Sequence, residues 1–211
     1  MIEAKTAVPA RLKWLARPMR PKQDEFAMAF KTLALEVNRM IRDSQVHTIL
    51  FASAYPRDGK TLIVASLGMA LADLGMRVTL VEASRDSTTL VEQVTIGKDV
   101  EQLTPGSDGS IAPSAGLTVI PGPALPLHHP DPEEMRLMLV ALQRNADIVF
   151  LDSVACNSAP DAYVLAPLVD GVLYVVRRRQ QDVVSQRSVI ARLERFGARI
   201  LGALYNEYEQ Q

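Results

Sequence analysis

Residues 54–61 constrain the fold of this chain more than any other segment of its sequence. They follow the short apolar run 48–53, which is typical of a buried strand. They also open an amphipathic helical pattern over 60–74, which Gly75 ends. A strand, a tight loop and a helix in this order direct backbone N–H groups toward one concave point. The segment therefore predicts an anion-binding loop at the end of a buried strand.

The loop matches the pattern G-x-x-x-x-G-K-[ST], except that Ala54 replaces the first glycine. In that pattern Lys60 would neutralise the β- and γ-phosphates of ATP, and the Thr61 hydroxyl would ligate Mg²⁺. An accidental Gly-Lys-Thr turn is the alternative, but chance matches rarely stand between a buried strand and a helix. The predicted nucleotide contacts of the segment are Ala54, Pro56, Arg57, Asp58, Gly59, Lys60, Thr61 and Leu62.

Apolar runs and helical patterns alternate along the rest of the chain, which is typical of an α/β fold. The predicted strands are 48–53, 77–82, 117–120, 147–152, 171–177 and 199–205. The predicted helices are 24–42, 60–74, 132–144, 161–169 and 182–196. Continuously apolar strands separated by helices predict a P-loop NTPase with a mostly parallel central sheet, covered by helices on both faces.

Residues 84–116 carry the weakest pattern in the chain. Their first half contains a candidate short helix around 90–94. The second half is predicted to be loop, because it contains Ser107, Gly109, Pro113 and Gly116.

Composition narrows the class of protein and its surroundings. Apolar residues make up 48% and charged residues 22% of the chain, which is typical of a soluble globular domain. The net charge of −1 favours neither nucleic acid nor an acidic membrane as a partner. Cys156 is the single cysteine, which predicts a reducing compartment. No apolar run approaches ~18 residues and no signal-peptide core is present, so we expect a cytoplasmic protein.

The first 22 residues differ in charge from the remainder. They carry six basic residues against the single acid Glu3, and the stretch 11–17 mixes basic residues with Leu12, Trp14 and Leu15. This pattern fits either a solvated tail or a basic amphipathic segment that touches a membrane surface or a partner. We therefore divide the chain into a basic N-terminal arm, 1–22, and a P-loop nucleotide-binding domain, 23–211.

Asp152 ends the predicted strand 147–152 and is the candidate acid for a magnesium site. A carboxylate at the carboxyl end of a central strand faces the ligand crevice of an α/β sheet. It would support Mg²⁺ next to Thr61. The alternative is a helix cap for the segment that follows.

The chain resembles the bacterial tyrosine kinase family of capsular and exopolysaccharide synthesis, which belongs to the partition-ATPase branch of P-loop proteins. The resemblance spans roughly 24–206. The segments that carry it are 29–33, 56–61, 117–122, 152–153, 161–162, 165–172 and 201–206. Of these, Leu165-Ala166-Pro167-Leu168-Val169-Asp170-Gly171-Val172 is very close to the usual wording of the family.

The resemblance implies cofactors, site residues and partners. The cofactors would be ATP or ADP with Mg²⁺, and Asn206 at the end of the last strand would face the adenine. Lys60, Asp152 and Glu82 would be catalytic, and Thr61, Asp152 and Glu82 would hold the metal. The partners would be a membrane-bound polysaccharide co-polymerase, which would bring the chain to the inner face of the plasma membrane, and further copies of the chain. No nucleic acid is expected.

The second acidic motif departs from the family. The family reads Asp-x-Asp after its second strand, where this chain has Glu82-Ala83-Ser84. Glu82 lengthens the carboxylate by one methylene, and a displacement near 1 Å costs on the order of 10²-fold in a positioned reaction. Ser84 removes the second charge, and a neutral hydroxyl is a poor general base near neutral pH.

Three further positions depart from family patterns. The ring-assembly motif E-x-x-R-x-x-R aligns with Met28, Lys31 and Ala34, so a single charge remains. In place of a tyrosine-rich tail, the C-terminal end carries Tyr205, expected to be core, and Tyr208, the candidate acceptor. Partition ATPases place a signature lysine where this chain has Tyr55.

Three functions therefore stay open at this point. The chain is an active tyrosine kinase of polysaccharide export, a pseudo-kinase that regulates the same pathway through nucleotide binding, or a partition-type ATPase. The Lys60, Thr61 and Asp152 set supports nucleotide binding in all three. Glu82 and Ser84 favour the second over the first, and Tyr55 argues against the third.

The remaining polar features have simpler interpretations. His128 and His129 lie in a proline-rich turn without partners at metal-ligand spacing. Cys156 is interpreted as a small buried residue. The run Arg177–Arg179 ends a strand, where it either lines the nucleotide crevice or a partner surface, or is simply solvated.

Overall fold

A mostly parallel sheet organises the chain. The computed structural model describes residues 23–84, 89–95, 106, 109–122, 132–178 and 182–206. The strands are β1 (Thr48–Ala52), β2 (Val78–Glu82), β3 (Ile111–Ser114), β4 (Leu117–Ile120), β5 (Ile148–Asp152), β6 (Gly171–Arg177) and β7 (Ile200–Asn206). The helices are α1 (Gln23–Ser44), α2 (Lys60–Asp73), α3 (Thr89–Thr95), α4 (Pro132–Gln143), α5 (Asp161–Leu165) and α6 (Val183–Arg195).

The strand order is β3-β4-β2-β5-β1-β6-β7 in the part of the chain that the structure describes. All neighbours pair in parallel except β3 and β4. Every residue of β1, β2 and β5 is buried, because helices cover both faces of the sheet centre. The predicted α/β P-loop architecture is confirmed.

The antiparallel edge strand β3 corrects the prediction of loop structure in the second half of 84–116. Ile111 pairs with Val119 and Ser114 with Leu117 across a tight turn. Gly116 permits that turn, since its φ is +78° and a Cβ there would stand 2.8 Å from the Met76 carbonyl oxygen. Pro113 is tolerated because β3 is the edge strand and needs no outward N–H. Turn residues signalled a loop where the chain forms a hairpin.

Two apolar layers hold the sheet. One contains residues of α1, α2 and α3 on one face, and the other contains residues of α4, α5 and α6 on the opposite face. The predicted short helix at 90–94 is present as α3, and the helix predicted over 161–169 ends at Leu165 and continues as a 3₁₀ turn, Ala166–Leu168. No helix in the described ranges is both long and apolar enough to cross a membrane.

Tyr205 was expected in the core, and this expectation is wrong. It lies in strand β7 as predicted, but its side chain is 38% exposed. The reason is that β7 is an edge strand, so one side of the strand faces solvent. The Tyr205 hydroxyl donates to the Arg178 carbonyl oxygen at 3.3 Å.

Candidate functional site

Two hydrogen bonds hold the loop between β1 and α2, one within the loop and one from the end of β7. Asp58 is buried, and its Oδ2 accepts the Tyr55 N–H at 3.1 Å. Asn206 at the end of β7 donates its amide to the Asp58 carbonyl oxygen at 2.9 Å. Gly59 has φ +92°, and a Cβ on it would stand 2.0 Å from Asn206 Nδ2. Glycine is therefore required at position 59 for both its backbone conformation and its lack of a side chain.

Lys60 begins α2 and turns its side chain into the loop. It is 7% exposed, and its Nζ donates to Ser53 Oγ at 2.8 Å. Burial lowers the pKa of Lys60, while the nearby carboxylates of Asp152 and Asp58 oppose that shift. The ammonium is thus desolvated within a strand–loop–helix unit, a type of unit whose backbone N–H groups commonly hold anions.

Thr61 and Asp152 form the shortest polar contact of the site. The Thr61 hydroxyl donates to Asp152 Oδ2 at 2.6 Å. Burial raises the pKa of Asp152 to about 6, with a smaller contribution from Glu82 in the same direction, against the opposing effects of Thr61 and Lys60. Asp152 Oδ1 is buried and accepts no hydrogen bond from the described residues. A buried carboxylate oxygen without a donor, next to a hydroxyl, fits Mg²⁺, which prefers oxygen ligands.

Glu82 stands beside Asp152 but is bonded to another element. The two residues are paired in register at the ends of β2 and β5, and Glu82 is 1% exposed. Its Oε1 accepts the N–H of Leu90 in α3 at 3.2 Å. Ser84, two residues farther along, is half-buried. The second acidic motif thus retains one carboxylate, and that carboxylate contacts the backbone of a helix.

A cavity of about 250 Å³ opens at the carboxyl ends of the parallel strands, beside the phosphate loop. It is lined by Arg57, Gly59, Lys60, Thr61, Leu62, Thr89, Gln93, Arg177 and Asn206. Most of the predicted nucleotide contacts are therefore brought together around one space. Of the remainder, Ala54 and Asp58 are buried, and Pro56 is exposed outside the lining.

Two lining residues were missed from the sequence. Thr89 and Gln93 belong to α3, and no motif marks them. The available signal was positional, since the predicted helix at 90–94 follows the carboxyl end of a central strand, where α/β proteins bind ligands. Arg177 lines the same cavity, which agrees with the crevice alternative for that run of arginines.

The other candidate residues lie elsewhere. Cys156 is buried, and burial raises its pKa to about 11, so the thiol is not activated as a nucleophile. No group of three or more His, Cys, Asp or Glu side chains in the described ranges could hold a metal ion by itself. The basic arm 1–22, His128, His129, Arg179 and Tyr208 lie outside the described residues.

Sequence comparisons find two curated relatives of the chain. No family model matches the chain. It is 29% identical over 199 residues to the succinoglycan biosynthesis transport protein ExoP of Rhizobium meliloti, covering 86% of this chain and 25% of ExoP. It is 26% identical over 172 residues to the uncharacterized ATP-binding protein MJ0547 of Methanocaldococcus jannaschii, covering 77% of this chain and 65% of that protein. The chain thus spans a quarter of the first relative and about two thirds of the second.

Solved structures with the same fold include kinase domains. The BceF tyrosine kinase domain superposes with a TM-score of 0.68 at 22% identity, covering 89% of this chain and 79% of that domain. The kinase domain of the Escherichia coli tyrosine kinase ETK gives 0.65 at 21% identity, covering 88% and 80%. The chain shares the fold of these two tyrosine kinase domains.

Another solved structure shares the fold, and two of the departures from family patterns, at Tyr55 and in α1, can be located in the structure. The cell-division protein MinD of Aquifex aeolicus shares the fold with a TM-score of 0.57 at 22% identity, covering 77% of this chain and 70% of MinD. Tyr55, which replaces the signature lysine of partition ATPases, donates its hydroxyl to Asp182 Oδ2 of the same chain at 2.8 Å. On α1, Met28 and Lys31 are exposed, but Ala34 is fully buried and offers no surface to a second copy.

Proposed function

We propose that this chain binds Mg²⁺ with ATP or ADP in the cavity and acts in exopolysaccharide synthesis as a tyrosine-kinase-like ATPase. The observation that carries the proposal is the arrangement around the phosphate loop. A desolvated Lys60 and a Thr61 hydroxyl bonded to Asp152 stand next to each other at the start of α2, directly after the loop. That combination of donors and acid is suited to a phosphate chain and its magnesium ion.

Each residue of the loop has a separate part in binding. Lys60 would break its hydrogen bond to Ser53 and offset the negative charge of the β- and γ-phosphates. Its position at the start of α2 keeps the ammonium close to the loop. Thr61 and Asp152 would hold Mg²⁺, the Thr61 hydroxyl directly and Asp152 through its free oxygen or a water. When bound, the metal would neutralise charge on the phosphate oxygens. Asn206 would contact the base from the β7 side of the cavity.

The reaction proposed first is transfer of the γ-phosphoryl group to a tyrosine hydroxyl. Lys60 would stabilise the phosphate charge as the bond to the leaving oxygen breaks. Asp152 and Glu82, paired in register at the ends of β5 and β2, would orient the metal and take the hydroxyl proton. Tyr208 is the proposed acceptor within the chain.

The second candidate is a nucleotide-dependent regulator that does not transfer phosphate. Ser84 supplies no charge, and the Glu82 carboxylate is bonded to the α3 backbone at 3.2 Å. Both observations reduce the acid available for deprotonating tyrosine, while neither touches the phosphate loop. A partition-type ATPase is a third candidate, and the Tyr55–Asp182 contact within one chain argues against it.

We also propose a partner and a location. A membrane-bound polysaccharide co-polymerase would bind the domain at the inner face of the plasma membrane, and copies of the chain would associate there. The likeness to ExoP, a succinoglycan biosynthesis transport protein, supports this pathway.

One experiment separates these functions. The purified chain is incubated with γ-labelled ATP and Mg²⁺ and probed for phosphotyrosine, while binding of a fluorescent ADP analogue is measured in parallel. The kinase proposal expects label on the chain or on an added glutamate–tyrosine copolymer. Binding without any label at saturating ATP would overturn transfer and leave the regulator. Absence of nucleotide binding would overturn the whole proposal.

A further inference from the structure

Two buried carboxylates end adjacent strands, and each is bonded to a different helix that contributes residues to the cavity lining. Glu82 and Asp152 are paired in register on β2 and β5. Asp152 accepts the Thr61 hydroxyl at the start of α2, and Glu82 accepts the Leu90 N–H in the first turn of α3. Each carboxylate therefore fixes one helix to the carboxyl end of a central strand.

The helix that Glu82 fixes has one face in the core and one face on the cavity. Its buried residues are Leu90, Val91, Val94 and Thr95. Thr89 and Gln93 are four positions apart, which places them on one face of the helix, and both line the cavity. A shift of α3 would therefore move Thr89 and Gln93 relative to Lys60 and Thr61.

The sheet order places α3 on the side of the cavity where the Thr61–Asp152 pair lies. In that order, β5 and then β2 lie on one side of β1, while β6 and β7 lie on the other. α3, which follows β2, and Asn206, which ends β7, accordingly form opposite walls. The Thr61–Asp152 pair lies toward the α3 wall, because Asp152 ends β5, the neighbour of β2.

We propose that Glu82 is a positioning residue that holds α3 so that Thr89 and Gln93 contact the terminal phosphate and distinguish ATP from ADP. The role rests on the nucleotide binding proposed above. The Gln93 amide and the Thr89 hydroxyl are hydrogen-bond donors of the kind that phosphate oxygens accept. ADP lacks the γ-phosphate, so it does not gain from these donors. In this role Glu82 acts through α3 and not through its charge, which the transfer reaction proposed above would need.

The length of the Glu82 side chain is what the role requires. Its Oε1 is already 3.2 Å from the Leu90 nitrogen, and aspartate would withdraw the carboxylate by about 1.5 Å and break the bond. Glutamine keeps the length and a carbonyl oxygen that accepts the same N–H, but it carries no charge. A metal or proton-transfer role has the opposite requirement, because it needs the charge.

The test compares affinities for ADP and for a non-hydrolysable ATP analogue, both with Mg²⁺, in Glu82→Gln, Glu82→Asp and Gln93→Ala. We expect Glu82→Gln to keep the wild-type preference for the ATP analogue over ADP within about 2-fold. Glu82→Asp and Gln93→Ala should each reduce that preference by about 10-fold or more, the size of one lost hydrogen bond to a charged group. A merely structural loss would weaken both nucleotides alike. Glu92→Gln and Glu92→Asp, at an exposed position of the same helix, serve as matched controls.

Several results would overturn the positioning role. One is a loss of preference in Glu82→Gln equal to that in Glu82→Asp, which would assign the charge to the metal. Another is an unchanged preference in Gln93→Ala, which decides the matter even if Glu82→Asp fails to fold, as its thermal unfolding midpoint would reveal. If the wild-type chain binds neither nucleotide, the proposed function fails first. If it binds both and Lys60→Met removes that binding, the proposed function stands whatever the α3 variants do.

Discussion

The phosphate loop and the end of β2 are separated in the sheet by β5, and they would relate differently to a nucleotide. At the start of α2, Lys60 donates to Ser53 at 2.8 Å and Thr61 donates to Asp152 at 2.6 Å. At the end of β2, Glu82 turns to the backbone of α3, and Ser84 carries no charge. The groups of the proposed phosphate site are thus in place, whereas the acids that would activate an acceptor hydroxyl are altered.

This difference separates binding from transfer in physical terms. Holding phosphates needs converging N–H groups and a cation, which a strand–loop–helix unit supplies locally. Transfer needs an additional base within hydrogen-bond reach of the acceptor, and an error near 1 Å is costly. Substitutions in the two regions should therefore have separable effects on affinity and on phosphotyrosine formation.

The largest effect is expected from Lys60. Lys60→Met removes the buried cation but keeps the length of the side chain, so nucleotide affinity should fall roughly 100-fold. Titration with a fluorescent ADP analogue measures the change. Lys31→Met, on the exposed face of α1, is the matched control and should bind as the wild type does. Equal affinities of Lys60→Met and wild type would remove the loop from the binding site.

Restoring an acid at position 84 should raise transfer without changing binding. Ser84→Asp reintroduces the second carboxylate of the family motif, and we expect phosphotyrosine formation to rise roughly 10- to 50-fold. Ser84→Asn, similar in size but uncharged, is the control. An increase in both variants, or in neither, would show that the missing charge is not what limits transfer.

Asp152 should make magnesium-dependent binding sensitive to pH. Its pKa is raised by burial to about 6, so the carboxyl gains a proton as the pH falls through that value. The magnesium-dependent part of the nucleotide affinity should decrease about 10-fold between roughly pH 7.5 and 5. Bound Mg²⁺ favours the ionised form and shifts the midpoint downward. Asp152→Asn should lack this pH dependence, and a wild-type profile in that variant would contradict the assignment.

In the ligand-free chain, loss of the Asp152 proton lowers the stability of the fold, although the same loss favours Mg²⁺ binding. A carboxyl whose folded-state pKa lies above its unfolded value of 3.8 stabilises the fold in its protonated form. That contribution is complete below about pH 4 and is lost as the pH rises through about 6. Asp152→Asn should therefore raise the free energy of unfolding at pH 7, by on the order of 2 kcal/mol. Denaturant unfolding at several pH values measures it.

The smallest effect is expected from Tyr55. Tyr55→Phe removes one exposed hydrogen bond to Asp182, which still accepts the Ser185 N–H at 2.9 Å and caps α6. We expect the unfolding midpoint to fall by about 2 °C or less and the nucleotide affinity to change less than about 2-fold. Tyr205→Phe, whose hydroxyl also bonds to the β6–α6 connection, is the control. A 10-fold loss of affinity in Tyr55→Phe would extend the binding region to that side of the loop.

Local patterns predicted most of the framework. The apolar runs of β1, β2 and β5 are buried along their whole length, so they appear in the sequence without interruption. Long amphipathic helices such as α1 and α6 are equally visible. The edge strand β3 escaped notice because it is short, partly exposed and contains Pro113, and because its pairing with β4 follows from a turn rather than from hydrophobicity.

The sequence alone determined the strand–loop–helix unit around residues 54–61 and the α/β class. Both follow from contacts between residues that are close in the chain. Tertiary structure decided where the charges act. It placed Asp152 within 2.6 Å of Thr61 across 91 positions, Asn206 against the loop across 148 positions, and the Glu82 carboxylate on the N–H of Leu90. Such contacts depend on strand order and side-chain reach, which local sequence patterns do not encode.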